Sequence, residues 1–110
     1  MRRILLAICL PLMVSACTLS LPVRGIVQNT DEVFTGIATG KMNGAGTLSI
    51  VSNKGATCEG NFVYVSSRNG EGVFNCNDGR SGPFSFVSAG TEGTGYGTLG
   101  GAAFTFTFGG

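Results

Sequence analysis

Two cysteines and two glutamates mark the stretch where this chain comes nearest to chemistry. Residues Cys58 to Cys76 read CEGNFVYVSSRNGEGVFNC, two alternating runs around a polar turn. If the segment folds as a hairpin about Ser67, Cys58 stands opposite Cys76. Cross-strand Cα atoms lie about 4.5–5.5 Å apart, within disulfide reach. A redox-active thiol pair is the other use of two cysteines, but the C-x-x-C spacing that supports it is missing. Glu59 and Glu71 both carry odd numbers and could approach one another across the same hairpin. Paired carboxylates are the machinery of glycoside hydrolysis, although two solvated side chains on a polar face are the ordinary reading. The sequence contains no histidine, so the usual general base and the commonest metal ligand are missing. Asp31-Glu32 reads as a solvated acidic pair, and Asn75-Cys76-Asn77-Asp78-Gly79 reads as a β-turn, since the ligand spacing of a calcium loop is missing. No catalytic residue, cofactor or metal is expected.

The start of the chain carries a different kind of signal. Met1-Arg2-Arg3 is basic, Ile4 to Val14 is mostly apolar, and Val14-Ser15-Ala16 places small residues before Cys17. This is the layout of a secretory signal peptide, residues 1–16, and its apolar run is too short to span a bilayer. Val14-Ser15-Ala16-Cys17 resembles the lipobox of bacterial lipoproteins. That resemblance implies acylation of Cys17, cleavage before it and attachment to a membrane through acyl chains. Thr18 rather than aspartate follows the cysteine, which in that family implies the outer membrane. Cleavage after Ala16 and release as a soluble protein is the alternative. It would leave three thiols. Acylation of Cys17 and loss of Cys9 with the signal leave Cys58 and Cys76, an even pair in an oxidising compartment. Two or three acyl chains make a firm anchor.

From Cys17 onward, five basic side chains face six acidic ones, a net charge of −1 with no cluster of either sign. Nothing here suits nucleic acid. Residues 17–32, with Pro22 and Gly25 and no evident period, read as the lipidated cysteine and a short tether.

Residues 33–110 read as an all-β domain. Glycine is abundant, and alanine, leucine and glutamate are too sparse for a helical stripe. Strands are expected at Val33–Thr39, Ala45–Val51, Thr57–Val65, Glu71–Cys76, Ser81–Ser88, Thr94–Leu99 and Ala102–Phe108, separated by glycine- and asparagine-containing turns. That is an antiparallel meander of about seven short strands, forming a curled sheet or a small barrel. A phrase also repeats: Phe34-Thr35-Gly36 then Asn43-Gly44-Ala45-Gly46, Gly60-Asn61-Phe62 then Asn69-Gly70-Glu71-Gly72, Gly82-Pro83-Phe84 then Gly93-Thr94-Gly95. Over Phe34 to Leu99 it resembles MORN repeats, a resemblance that implies scaffolding or membrane- and protein-binding work rather than catalysis.

Strand faces divide by parity. Even positions collect Phe34, Leu48, Ile50, Phe62, Tyr64, Phe74, Phe84, Phe86, Phe104, Phe106 and Phe108. Odd positions are mostly small or polar, with Ile37, Val63 and Val73 as exceptions. An aromatic face of this size must be covered, so the sheet has to curl over it, close, or meet a partner. The hairpin register about Ser67 also sets Gly60 opposite Phe74 and Phe62 opposite Gly72, rings over bare backbone. The run Phe104 to Phe108 resembles the last strand of outer-membrane barrels, but is read here as an edge or closing strand of the sheet.

The expected function is therefore that of a lipid-anchored bacterial envelope protein, structural or protein-binding and not an enzyme. Its expected partners are the membrane, through Cys17, and another envelope protein. A small ligand-binding or inhibitor β-barrel is the alternative reading.

Overall fold

The computed structural model describes residues 18–41 and 43–109; the signal segment and Cys17 lie outside them. Eight antiparallel strands follow one another around a closed barrel: β1 (Thr18–Val27), β2 (Val33–Lys41), β3 (Ala45–Ser52), β4 (Thr57–Tyr64), β5 (Asn69–Cys76), β6 (Ser81–Ala89), β7 (Glu92–Leu99) and β8 (Ala102–Gly109). Each strand pairs with its sequence neighbours, and β1 pairs with β8 to close the ring.

The seven expected strands are present, with ends within two residues of their expected positions. The eighth corrects the reading of residues 17–32 as a tether: Thr18–Val27 is a ten-residue strand. Its inward side chains are Leu21, Val23, Gly25 and Val27, a period of two that Pro22 and Gly25 disguise. Both breakers have a structural place. Pro22 precedes Val23, where pairing with β8 begins, so β1 has a neighbour on one side only and the missing N–H is tolerated. Gly25 lies beneath the Phe104 ring, where a Cβ would stand 2.6 Å from Cζ.

Parity holds as expected in β2–β6 and β8, whose even residues point inward. In β1 and β7 the inward residues are odd. Turns with an even number of residues cause the switch: Gly90-Thr91 and Gly100-Gly101 on either side of β7, where Ser88 pairs with Gly93, and the four residues 28–31 in the β1–β2 turn, where Ile26 pairs with Val33. The turn from β7 to β8 is Gly100-Gly101, with φ of +62° and +88°. Positive φ at both centres is the type I′ geometry that matches strand twist. Ile37, Val63 and Val73 are about half exposed on the outer wall. Such isolated apolar groups are ordinary on a protein surface.

The bore is filled by an alternation of rings and glycines. From Leu19 the pairing leads through Gly40, Gly46, Phe62, Gly72, Phe84, Gly97 and Phe104 to Val27, eight residues further along β1. The neighbouring inward row runs Tyr64, Gly70, Phe86, Gly95, Phe106, Gly25, Phe34. A stagger of eight over eight strands gives a narrow barrel, with strands tilted by about 36° as in other barrels of that shear. Such a bore cannot hold a large side chain at every inward position. The sequence answers with a glycine beside nearly every ring.

Most rings lean one way: Phe62, Phe74, Phe84, Phe86, Phe106 and Phe108 each lie over a glycine of the preceding strand, Gly46, Gly60, Gly72, Gly70, Gly95 and Gly93, while Phe104 leans the other way onto Gly25 of β1. A Cβ at Gly72 would approach Phe84 Cζ to 2.6 Å, and one at Gly60 would approach Phe74 Cδ1 to 2.9 Å. Gly60–Phe74 and Phe62–Gly72 pair as the register about Ser67 requires, but the Phe62 ring leans away from Gly72 onto Gly46. Edge-to-face contacts such as Phe34–Phe104 (5.5 Å) and Phe74–Phe104 (5.6 Å) complete the core.

Candidate functional site: the two ends of the barrel

The residues singled out from sequence come to different fates. Cys58 and Cys76 pair across β4 and β5 and are joined by a disulfide, with Cα atoms 3.9 Å apart. The backbone N–H of Asn77 donates to the Thr57 carbonyl at 2.9 Å, which makes Cys58–Cys76 the adjacent non-hydrogen-bonded pair, where strands run closest. Glu59 and Glu71 do not meet. Glu59 stands opposite Asn75 and accepts the Ser49 hydroxyl at 3.1 Å, while Glu71 stands opposite Val63 and Ser85 on the outer wall. Asn75–Gly79 lies at the β5–β6 turn, where the Asp78 carboxylate is taken up by Arg80.

Asp31-Glu32 is not a solvated pair. Asp31 is exposed and meets the Lys54 ammonium at 2.8 Å, which holds its carboxyl below the usual value. Glu32 instead is buried at the end of the bore. Arg80 donates to it twice, from Nη1 to Oε1 at 2.8 Å and from Nη2 to Oε2 at 2.9 Å. Arg80 Nε donates to Asp78 Oδ2 at 2.9 Å, and its backbone N–H to Asp78 Oδ1 at 3.1 Å. Bidentate pairing of this kind uses the planar fork of guanidinium. The hydrogen bonds from Arg80 lower the Glu32 pKa against the opposing effect of burial, and those accepted by Glu32 raise that of Arg80. The guanidinium carbon sits 5.9 Å from the centre of the Phe34 ring, so Arg80 lids the aromatic core and its ion pairs lie above.

Two asparagines organise the same end. Asn53 Oδ1 accepts the Val33 N–H at 3.0 Å, and Asn77 Oδ1 accepts the Thr57 N–H at 3.0 Å. Both donor and acceptor are offset by the 24 residues that separate Gly36 from Gly60. The repeat spacing, applied to turns as well as strands, would have found them. Ser52 is buried there too, its hydroxyl accepting the N–H groups of Lys54 (2.9 Å) and Ala56 (3.3 Å).

The opposite end is built differently. The turns between β2 and β3, β4 and β5, and β6 and β7 gather there, and Thr18 opens β1 beside Lys41. An apolar cavity of about 90 Å³ opens into the bore, lined by Leu19, Leu21, Ala38, Leu48, Phe62 and Phe108 among others. Because of the stagger, Thr18–Leu21 projects past the pairing with β8 and forms a lip over it. Tyr64 is 38 % exposed at this rim rather than buried with the other even residues, because β4 is leaving the bore. Its hydroxyl donates to Ser88 Oγ at 3.1 Å, and Arg68 Nε donates to the Ser88 carbonyl at 3.3 Å.

Transmembrane barrels turn apolar side chains outward and polar ones inward. This barrel packs its rings inward and mixes polar side chains with exposed Ile37, Val51, Val63, Val73 and Val87 on its outer wall, and β8 is its closing strand. No family model matches the chain, and neither a curated protein nor a solved structure matches it.

Proposed function

We propose that this protein is a lipid-anchored barrel of the bacterial envelope, with a structural or protein-binding role and no catalytic activity. The observation that carries the reading is the juxtaposition of Cys17, in its lipobox-like setting, with Thr18, the first residue of the barrel wall. An acyl group on Cys17 would hold the domain with almost no intervening chain. The residues that could have worked as a carboxylate pair, Glu59 and Glu71, are spent separately on the wall. The glycine–ring phrase that resembles MORN repeats supports a scaffolding role. Thr18 after the cysteine supports placement in the outer membrane.

The ligand-binding form of the alternative loses ground on volume. Pockets for drug-sized ligands run to about 300–1,000 Å³; the cavity in the bore measures about 90 Å³, and the larger hollows, of about 480 and 530 Å³, are open depressions on the outer wall. An inhibitor that works through its loops would not need a chamber, and the small disulfide-bonded barrel is compatible with that role. Growth of producing cells with a clickable fatty acid tests the anchored reading. Label should enter the wild type and be lost in Cys17→Ala; an unlabelled wild type, or equal label in both, rejects it.

A further inference from the structure

The two ends of the barrel differ in a way that assigns them directions. We propose that the open rim is a membrane-seating surface: the barrel stands on the bilayer with Leu19, Tyr64 and Val65 in the interfacial layer and the Glu32–Arg80 end held away from it. This rests on the anchored reading above and goes beyond it by fixing orientation.

Three observations point to a lipid surface as the occupant. First, the chain that precedes the described residues leaves from this rim, because Thr18 pairs with Lys41 at the edge of the mouth. Cys17 is bonded to Thr18, so acyl chains on it would enter the bilayer beside the mouth. Second, the rim carries exposed apolar groups. Leu19 is 50 % and Val65 58 % exposed, and Tyr64 presents an amphipathic ring between them and the polar latch of Ser88. Aliphatic and tyrosine side chains together are what the headgroup boundary selects. At the other end the apolar side chain of the turns, Ala56, is buried, and the exposed apolar pair next to them, Ile26 and Val33, stands on the outer wall of β1 and β2 rather than at the tip. Third, among the described residues the rim turns carry Lys41 and Arg68, with Glu92 opening β7 and Glu71 two residues into β5, whereas the turns of the other end carry Asp31, Glu32 and Asp78 against Lys54 and Arg80. Anionic headgroups are attracted by the turn cations of the rim and repelled by the acidic turns of the other end. The cavity itself is too small for a whole lipid chain and suits a few methylenes at most, so the rim rests on the membrane rather than extracting lipid from it. Eight-residue strands tilted by about 36° would then hold the ion-paired end about 20 Å above the surface, facing whatever the protein binds.

The chain contains two tyrosines and no tryptophan, so tyrosine emission reports position directly. Tyr64 is at the rim, and Tyr96 is on the outer wall, 63 % exposed. The chain from Cys17, which keeps all eight strands, can be coupled through that thiol to a maleimide phospholipid in vesicles of phosphatidylcholine and phosphatidylglycerol. Plain vesicles are compared with vesicles whose acyl chains are brominated. With Tyr96→Phe, leaving Tyr64, emission should fall by about half in brominated vesicles. With Tyr64→Phe, leaving Tyr96, it should change little. Leu19→Glu with Val65→Glu, on the Tyr96→Phe background, should restore Tyr64 emission although the tether is unchanged. Equal loss from both tyrosines, or no loss from Tyr64, overturns the proposal. So does dimerisation through this rim with Tyr64 unquenched, which would give the mouth to a second copy. Because the maleimide bond replaces acylation, these outcomes bear on the seating alone, and the fatty-acid label bears on the anchor.

Discussion

At one end of this barrel a guanidinium lies across the last aromatic ring, gripped by two carboxylates; at the other, a two-leucine lip overhangs an unfilled apolar mouth. The wall between them is continuous and uses one packing rule throughout, so the contrast comes from the turns and from the stagger. At the sealed end, Asn53, Asn77, Ser52 and Arg80 satisfy the polar groups that the turns leave over. At the open end, the projecting start of β1 leaves apolar surface that none of the described residues covers. The lesson is that a bore this narrow leaves little room for a ligand, and the barrel differs most between its two ends.

Substitutions can break this contrast. The largest effect is expected from truncating the core beneath the seal. Phe34→Ala should cost about 4 kcal/mol, because Phe34 is fully buried and its neighbours are fixed. Phe108→Ala, at the mouth, should cost about half as much, since a void already adjoins it. Urea denaturation of the two variants, with equal slopes, checks the ratio. Next, the Cys58→Ser, Cys76→Ser double variant should lose about 3 kcal/mol, the loop-closure value for a bridge of 18-residue separation. The same titration, or reduction of the wild type, checks it.

Glu32→Gln should cost about 1–2 kcal/mol, between a surface pair and a fully buried one, because the Arg80 side chain keeps 26 % of its exposure. The same substitution sharpens the pH dependence. The Glu32 pKa is lowered in the folded state from an ordinary 4.5, so its contribution is present above that value and is lost as pH falls through the lowered one. Asp78 and Asp31 act in the same sense. Wild-type melting temperature should therefore drop between about pH 5 and pH 3, and the drop should be shallower in Glu32→Gln. Smallest of all, Ala38→Val adds methyl groups beside the mouth cavity and should change stability by less than about 0.5 kcal/mol. A loss of 2 kcal/mol or more in thermal melts would mean that the mouth is as tightly packed as the sealed end.

The wall was largely legible in the sequence and its ends were not. Alternation from Phe34 to Phe108, together with glycine-bearing turns, is enough to place seven strands, the inward rings and the Cys58–Cys76 register, because each depends on neighbours in the chain. β1 was hidden by Pro22 and Gly25. Its period is visible only if a proline is admitted at a one-sided position, and that depends on where β8 ends. Glu32 reads as one of two solvated acids because its partner, Arg80, is 48 residues away and arrives through the stagger of the barrel. Closure itself follows from the match between a narrow bore and a glycine for nearly every ring. The central hairpin displays that match for two pairs and the whole barrel for the rest.

The seam between β1 and β8 also bears on how such a chain is made. The first strand and the last are neighbours, and the disulfide ties β4 to β5 rather than either of them. The cylinder therefore stays unfinished until Phe104, Phe106 and Phe108 have been made, so the barrel cannot close while the chain is still being synthesised through its first seven strands. Loss of the final eight residues would expose two raw strand edges at once, which makes the last segment of this polypeptide the latch of its fold.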